Sequence, residues 1–287
     1  YAHAKIKSLD VSAAKQAPAV LAVLTAADFK AAGWGDLPIP GGLKRRDGSP
    51  MIKTRYPILA EDRTRWIGDP VAFVVAESVA QALDAAELIT VDYEPLPAIT
   101  STEDAAKPGA VKVWEDAADN IGFVELVGNK EATDAAFAKA DHVVKQKFVI
   151  NRVTAATMEP RGAVGDYNAA DERYTLYTAI QRPHPTRIDF AKMMRIRESK
   201  IRIVTNDTGG SFGMKSPIFN EMPLVLLASK VTGRPVKWIS TRTEAFLSDA
   251  QARDNVTEAE MALDKNGIML GFRVKTIAAI GAYLQNA

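Results

Sequence analysis

Gly209-Gly210-Ser211-Phe212-Gly213-Met214-Lys215-Ser216 is the stretch whose reading decides the fold. Before it, Ile201-Arg202-Ile203-Val204-Thr205 alternates apolar residues as a strand does; after it, Pro217 to Lys230 reads as a helix. Glycine lets the backbone turn sharply and approach a ligand with no Cβ in the way. Ser216 is a good N-cap type for the helix, and Pro217 fits its first turn. A glycine-rich loop feeding a helix N-terminus presents free N–H groups and the positive end of a helix dipole, which attracts anions. The order strand, glycine turn, helix therefore predicts an α/β arrangement with a cofactor cradle at the turn.

A nucleotide P-loop is the rival reading. It requires Gly, four residues, Gly, Lys, then Ser or Thr. From Gly209 the chain supplies the first Gly, Lys215 and Ser216, but Met214 stands where the second Gly belongs. The strand candidate 235–240 also lacks a terminal Asp to help hold magnesium. The pattern favours a phosphate-type cofactor over nucleotide hydrolysis, and a purely structural glycine turn stays open as the alternative.

Working outward, 287 residues are enough for two domains. Hydrophobic content of 47% and charged content of 25% are ordinary for a globular protein, and a net charge of +1 gives no argument for nucleic acid or a membrane surface. No apolar run approaches the length of a membrane span, and no secretory signal is visible. The chain has no cysteine, which removes disulfides, thiolate metal sites and a cysteine nucleophile from the chemistry of these residues. His3, His142 and His184 are scattered without metal-ligand spacing.

Strands are expected at 4–9, 20–24, 65–67, 71–76 and 89–93, with 65–67 and 71–76 flanking the turn Gly68-Asp69-Pro70. Ser78 caps a helix to Leu88 with Val79, Ala82, Leu83 and Ala86 on one face. Residues 31–57, rich in Gly, Pro and Arg, read as a long loop, functional or disordered. A small mixed α/β domain thus spans 1–97, a connector 98–129, and a second domain 130–287. In the second, a helix is expected at 134–140, a strand at 142–151, a hairpin from 161–167 and 173–179, and a helix at 185–194. A strand at 236–240 follows the glycine turn and its helix. The last strands, 255–263 and 268–278, join through Asp264-Lys265-Asn266-Gly267, which is strong hairpin chemistry.

Gln181 sits at a strand end before Arg182-Pro183-His184-Pro185, where its amide can both donate and accept; the bland reading is an exposed loop residue. Glu159 reads as an ion-pair partner of Arg161, and His184 as a surface or packing residue. Arg182 to Arg202 carries seven Arg or Lys against Asp189 and Glu198. With few aromatics interleaved, and with Ile188, Ala191 and Met194 as a core face, it is a solvated basic face rather than a nucleic-acid surface. Trp66, Trp114 and Trp238 serve packing.

Several ordered segments together resemble the molybdopterin-binding large subunit of the xanthine dehydrogenase and aldehyde oxidase family, which includes aerobic carbon monoxide dehydrogenase large subunits. They are Tyr1-Ala-His-Ala-Lys-Ile6, Gly68-Asp-Pro-Val-Ala72, Val91-Asp-Tyr-Glu-Pro-Leu-Pro97, Met158-Glu-Pro-Arg161, Gln181-Arg-Pro-His184, Gly209 to Lys215, Gly233-Arg-Pro-Val-Lys-Trp238 and Gly281-Ala-Tyr283. The resemblance implies a mixed α/β (α+β) fold: an α/β hammerhead at 1–97, then part of a molybdopterin-binding domain. It also implies a molybdenum–molybdopterin cofactor, with the cytosine dinucleotide form left open. The cofactor would lie against backbone amides of Gly210, Ser211, Phe212 and Gly213 and beside Gln181, the metal being held by the pterin's sulfurs rather than by a side chain.

The function so implied is oxidation of an aldehyde, an N-heterocycle or carbon monoxide, with water as the oxygen source. Electrons would leave through iron–sulfur and flavin subunits in a cytoplasmic dimer of heterotrimers. Association with the inner face of the membrane through those partners is left open. Ser216 stands where xanthine-oxidising members carry a substrate-binding Glu, which argues against a purine. No catalytic residue is assigned: the family's cofactor-side Arg turn and base Glu are expected beyond Ala287, so residues 1–287 alone are expected to lack turnover. The alternative is a non-catalytic module that binds molybdopterin or a partner.

Overall fold

The computed structural model describes residues 1–284. The first part of the chain forms β1 (Ala4–Asp10), α1 (Ser12–Gln16), β2 (Val20–Leu24), α2 (Ala26–Ala31), β3 (Arg63–Thr64), β4 (Phe73–Ala76), α3 (Val79–Glu87) and β5 (Thr90–Pro95). β1 is central to a three-stranded antiparallel sheet, β3-β1-β5, and β2 pairs antiparallel with β4. Residues 65–67, expected as a strand, do not form one. β3 ends at Thr64 and goes to β1, because Asp69 draws the turn inward: its carboxylate accepts from the Arg65 amide at 2.6 Å and from Trp66 Nε1 at 2.7 Å.

Ser78 caps α3, accepting from the Gln81 amide at 3.3 Å. The expected apolar face is not the buried one, however. Ala85 is buried, while Val79 and Leu83 are exposed, because the helix packs through its small residues onto the β2–β4 pair. α2 is an element the periodicity misses, although Thr25 and Asp28 make a reciprocal capping box at its start.

The long loop is an ordered strap. Leu37, Met51, Tyr56, Ile58 and Leu59 are all buried. Asn220 fastens it by accepting from the Tyr56 hydroxyl at 3.0 Å and donating to the Ile58 carbonyl at 2.8 Å. Burial of apolar side chains, not regular hydrogen bonding, orders this segment.

Next come α4 (Thr102–Ala105), α5 (Lys130–Ala138), β6 (His142–Val153), β7 (Gly162–Asn168), β8 (Arg173–Thr178), α6 (Pro183–Met194) and β9 (Ile201–Val204). They are followed by α7 (Glu221–Thr232), β10 (Val236–Ile239), α8 (Arg242–Ser248), β11 (Ala252–Leu263) and β12 (Met269–Ala278). α5 starts at Lys130 because Asn129 caps it, accepting from the Ala132 amide. α6 starts two residues earlier than the sequence predicts, with Pro183 in its first turn. α8, also missed, opens on a Thr241–Glu244 capping box.

Two sheets result. In β12-β11-β6 all pairs are antiparallel, and the Asp264 carboxylate holds the hairpin turn by accepting from the amides of Asn266 and Ile268. In β10-β7-β8-β9, the pair β8–β9 is parallel, with α6 as the crossover. α7 packs on β7 and is buried on all sides from Glu221 to Ser229, as its nearly continuous apolar sequence requires. Gly165 permits that packing: a Cβ there would lie 2.4 Å from the Val225 carbonyl oxygen. One hydrophobic core runs from Leu24, Phe29, Tyr56 and Val75 into Tyr174, Leu176, Phe190 and Leu226. Within it, Tyr283 stacks on Tyr56 at 4.3 Å between ring centres and donates to Asp69 at 3.0 Å.

Candidate cofactor site

Parallel β8 and β9 end side by side, at Thr178 and Val204, and the chain leaves both in the same direction. Gln181 follows the first, and the glycine turn follows the second. Crevices beyond the carboxyl ends of parallel strands are where open α/β sheets gather their ligand-binding loops. The two exits are joined directly, since the Gln181 amide donates to the Lys215 carbonyl at 3.1 Å. Gln181 itself is exposed.

The turn is tight. The Met214 amide donates to the Ser211 carbonyl at 3.0 Å, the Lys215 amide to Ser211 Oγ at 3.0 Å, and the Ser216 amide to the Gly213 carbonyl at 3.2 Å. Gly210 (φ +102°), Phe212 (φ +53°) and Gly213 (φ +92°) all take positive φ. For Phe212 this is an uncommon conformation, held by the bonds on either side. Those bonds draw on amides flanking the turn. Among the described residues, the amides of Gly210, Ser211, Phe212 and Gly213 have no partner. Four consecutive unpaired donors fit an acceptor-rich ligand. A Cβ on Gly213 would meet nothing within 4 Å, so this side of the turn is open. Phe212 is 84% exposed beside it. Cavities of about 240 and 280 Å³ lie elsewhere, around Trp34, Asp36 and Arg195, and neither includes the turn or Gln181.

The expected helix start is corrected here. Ser216 and Pro217 do not begin a helix: α7 starts at Glu221 with Asn220 at its N-cap, because the amides of Met214, Lys215 and Ser216 bond back to Ser211 and Gly213 within the turn. The turn's own amides, rather than a helix dipole, are thus its donors. Lys215 also rules out the P-loop reading. It is 1% exposed and faces inward, donating to the Glu159 carboxylate at 2.7 Å and the Glu159 carbonyl at 2.9 Å, so its charge is spent within the protein.

Glu159 accordingly pairs with Lys215 and not with Arg161. Burial pushes its carboxyl up, but the bonds from Lys215 and the Gly209 amide outweigh this and hold it below the ordinary value. Arg161 instead lies buried over the Phe219 ring at 4.0 Å. Its Nε is 3.0 Å from Asp249 and 3.5 Å from Glu221, and its terminal nitrogen donates to Ser248 Oγ at 2.7 Å. Burial raises both carboxyls, and the guanidinium only partly offsets it. Arg242 completes the frame by donating to the carbonyls of Thr157 and Met158. Sequence reasoning missed Arg242, Asp249 and Lys215 as organising residues; the capping box at Thr241–Glu244 was the one local signal near them. His184 is exposed at the start of α6.

Residues 113–287 match the family model "Molybdopterin cofactor-binding domain". Residues 1–97 match "Aldehyde oxidase and xanthine dehydrogenase, a/b hammerhead domain". The chain belongs to the xanthine dehydrogenase and aldehyde oxidase family. It is 35% identical to the carbon monoxide dehydrogenase large chain of Afipia carboxidovorans, over 99% of this chain and 35% of that one. It is 34% identical to the nicotine 6-hydroxylase large subunit of Paenarthrobacter nicotinovorans, over 98% of this chain and 34% of that one. Among solved structures, quinoline 2-oxidoreductase from Pseudomonas putida 86 superposes with a TM-score of 0.84 at 35% identity, covering 96% of this chain and 34% of that one. The chain spans about a third of the length of these relatives. The mixed α/β hammerhead followed by a molybdopterin-binding fold is thereby established, and with it molybdopterin as the cofactor class of this domain.

Proposed function

We propose that the native protein is the molybdenum-binding subunit of a hydroxylase that oxidises carbon monoxide, an N-heterocycle or an aldehyde, taking its oxygen from water. The carrying observation is the run of four unpaired amides at Gly210 to Gly213, bonded through Lys215 to the Gln181 segment. When bound, the molybdenum–pterin group supplies the two-electron redox chemistry. The chain's part is to hold it. The four amides are donors already fixed in place by the turn, so they need no reorganisation when an anionic group meets them. The Gln181 side-chain carboxamide, at the same strand ends, can donate to an oxo or hydroxyl group or accept from a hydroxyl.

The relatives named above act on carbon monoxide, nicotine and quinoline, which supports a small gas or N-heterocycle as substrate. Ser216 in place of a longer acid supports a substrate other than a purine. The names "large chain" and "large subunit" support companion chains, for which iron–sulfur and flavin subunits supply the electron route.

Elemental analysis of the native protein, followed by dye reduction with carbon monoxide, quinoline, nicotine and an aldehyde, tests the proposal. We expect molybdenum and turnover with one of these substrates. Metal without turnover would favour a non-catalytic binding module, and absence of molybdenum would refute the reading.

A further inference from the structure

Lys215 touches all three segments that meet at the candidate site. Its ammonium donates to the carboxylate and the carbonyl of Glu159, its amide to Ser211 Oγ, and its carbonyl accepts from the Gln181 amide. Glu159 grips the turn from the other side. Its amide donates to the Gly209 carbonyl at 3.1 Å, and its carboxylate accepts from the Gly209 amide at 2.9 Å. The fit is close, since a Cβ on Gly209 would lie 2.5 Å from Glu159 Cβ. Thr157 Oγ1 and Arg242 then fix the 157–159 segment from behind.

A buried ammonium needs hydrogen-bond acceptors and a counter-charge. Here both acceptors come from one residue, so the lysine holds a single backbone arrangement of Glu159, and Glu159 in turn holds Gly209. We propose that Lys215 and Glu159 form a latch that sets the spacing between the Gly210–Gly213 amides and Gln181, making them positioning residues for cofactor binding. The cofactor half of this proposal rests on the functional reading above; the latch itself does not.

Hydrogen exchange followed by mass spectrometry on the native protein tests the latch without reference to turnover. Lys215→Met keeps the apolar stem and removes the ammonium. It should speed exchange in peptides covering 205–216 and 179–183 by about tenfold or more, the scale expected when a charge-assisted bond that limits local opening is lost. Peptides from β1–β5 should not change. Lys215→Arg, which can still reach two acceptors, should restore most of the protection. If the methionine variant does not fold, Glu159→Gln removes the counter-charge while leaving an acceptor oxygen, and should loosen the same two peptides. Unchanged exchange in a folded variant would show that Lys215 only fills space and would overturn the latch.

Molybdenum per folded protein is the separate readout. Loss of metal together with local loosening supports the full proposal. Local loosening with wild-type metal content would overturn the positioning role. A wild-type protein that holds no molybdenum would overturn the cofactor reading, leaving the latch to stand or fall on exchange alone.

Discussion

Gly213→Ala separates a cofactor cradle from an ordinary turn. At φ +92° an alanine is strained, by about 1–2 kcal/mol. No further cost arises inside the chain, because the new Cβ meets nothing within 4 Å. For a chain of this size the strain lowers the melting temperature by only about 2–8 °C, and the fold persists. The methyl group projects instead into the open side of the turn, where a ligand of the four unpaired amides would lie. Displacing that ligand enough to weaken a single contact, about 1.4 kcal/mol, is a tenfold loss of affinity. Molybdenum per folded protein, measured by elemental analysis after the melting curve has confirmed the fold, should fall by about that factor or more. Gly209→Ala is the control: its Cβ would collide with Glu159 Cβ at 2.5 Å, so it should destabilise the protein whether or not cofactor is present. Wild-type metal content and turnover in a folded Gly213→Ala protein would refute the reasoning.

Gly165→Ala should cost about 3 kcal/mol or abolish soluble folding, since its Cβ would meet the backbone of α7 and neither element can yield; urea unfolding measures this. Arg161→Met removes the cation that pairs with both buried carboxyls, Glu221 and Asp249, and should cost about 3–5 kcal/mol at neutral pH. Both carboxyls already titrate above their ordinary range, so the stability they contribute is present in acid and lost as the pH rises; the variant's deficit in urea titrations should therefore widen with pH. Glu159 is held below its ordinary value of 4.5, so the gap in melting temperature between wild type and Glu159→Gln should be full above that pH and close as the pH falls below it. Tyr283→Phe removes a donor to the buried Asp69 carboxylate and should cost about 1–3 kcal/mol in urea unfolding.

The sequence by itself determined the elements that are set by local chemistry. β6, the β7–β8 hairpin and the β11–β12 hairpin follow from period-two patterning and turn residues within a few positions of one another, and β2 from a short continuous apolar run. Gly210 and Gly213 were legible as turn positions because glycine takes positive φ without steric cost, and the family resemblance followed from short ordered motifs. The helix start at Glu221 was not legible. Ser216 and Pro217 satisfy local capping rules, but the hydrogen bonds of the turn take precedence. Nor could local chemistry show that residues 37–60 pack as a strap, since their burial is supplied by α7 and Tyr283, more than 150 residues away in sequence. Charge pairing was decided in space as well. Glu159 and Arg161 lie two positions apart, a spacing that would put both side chains on one face of a regular strand, yet one meets Lys215 and the other Asp249, since both precede β7 and the chain around Pro160 is not strand. Only the tertiary structure could bring Gln181 to the glycine turn, since the parallel pairing of β8 and β9 places two chain exits together that the sequence separates by the whole of α6.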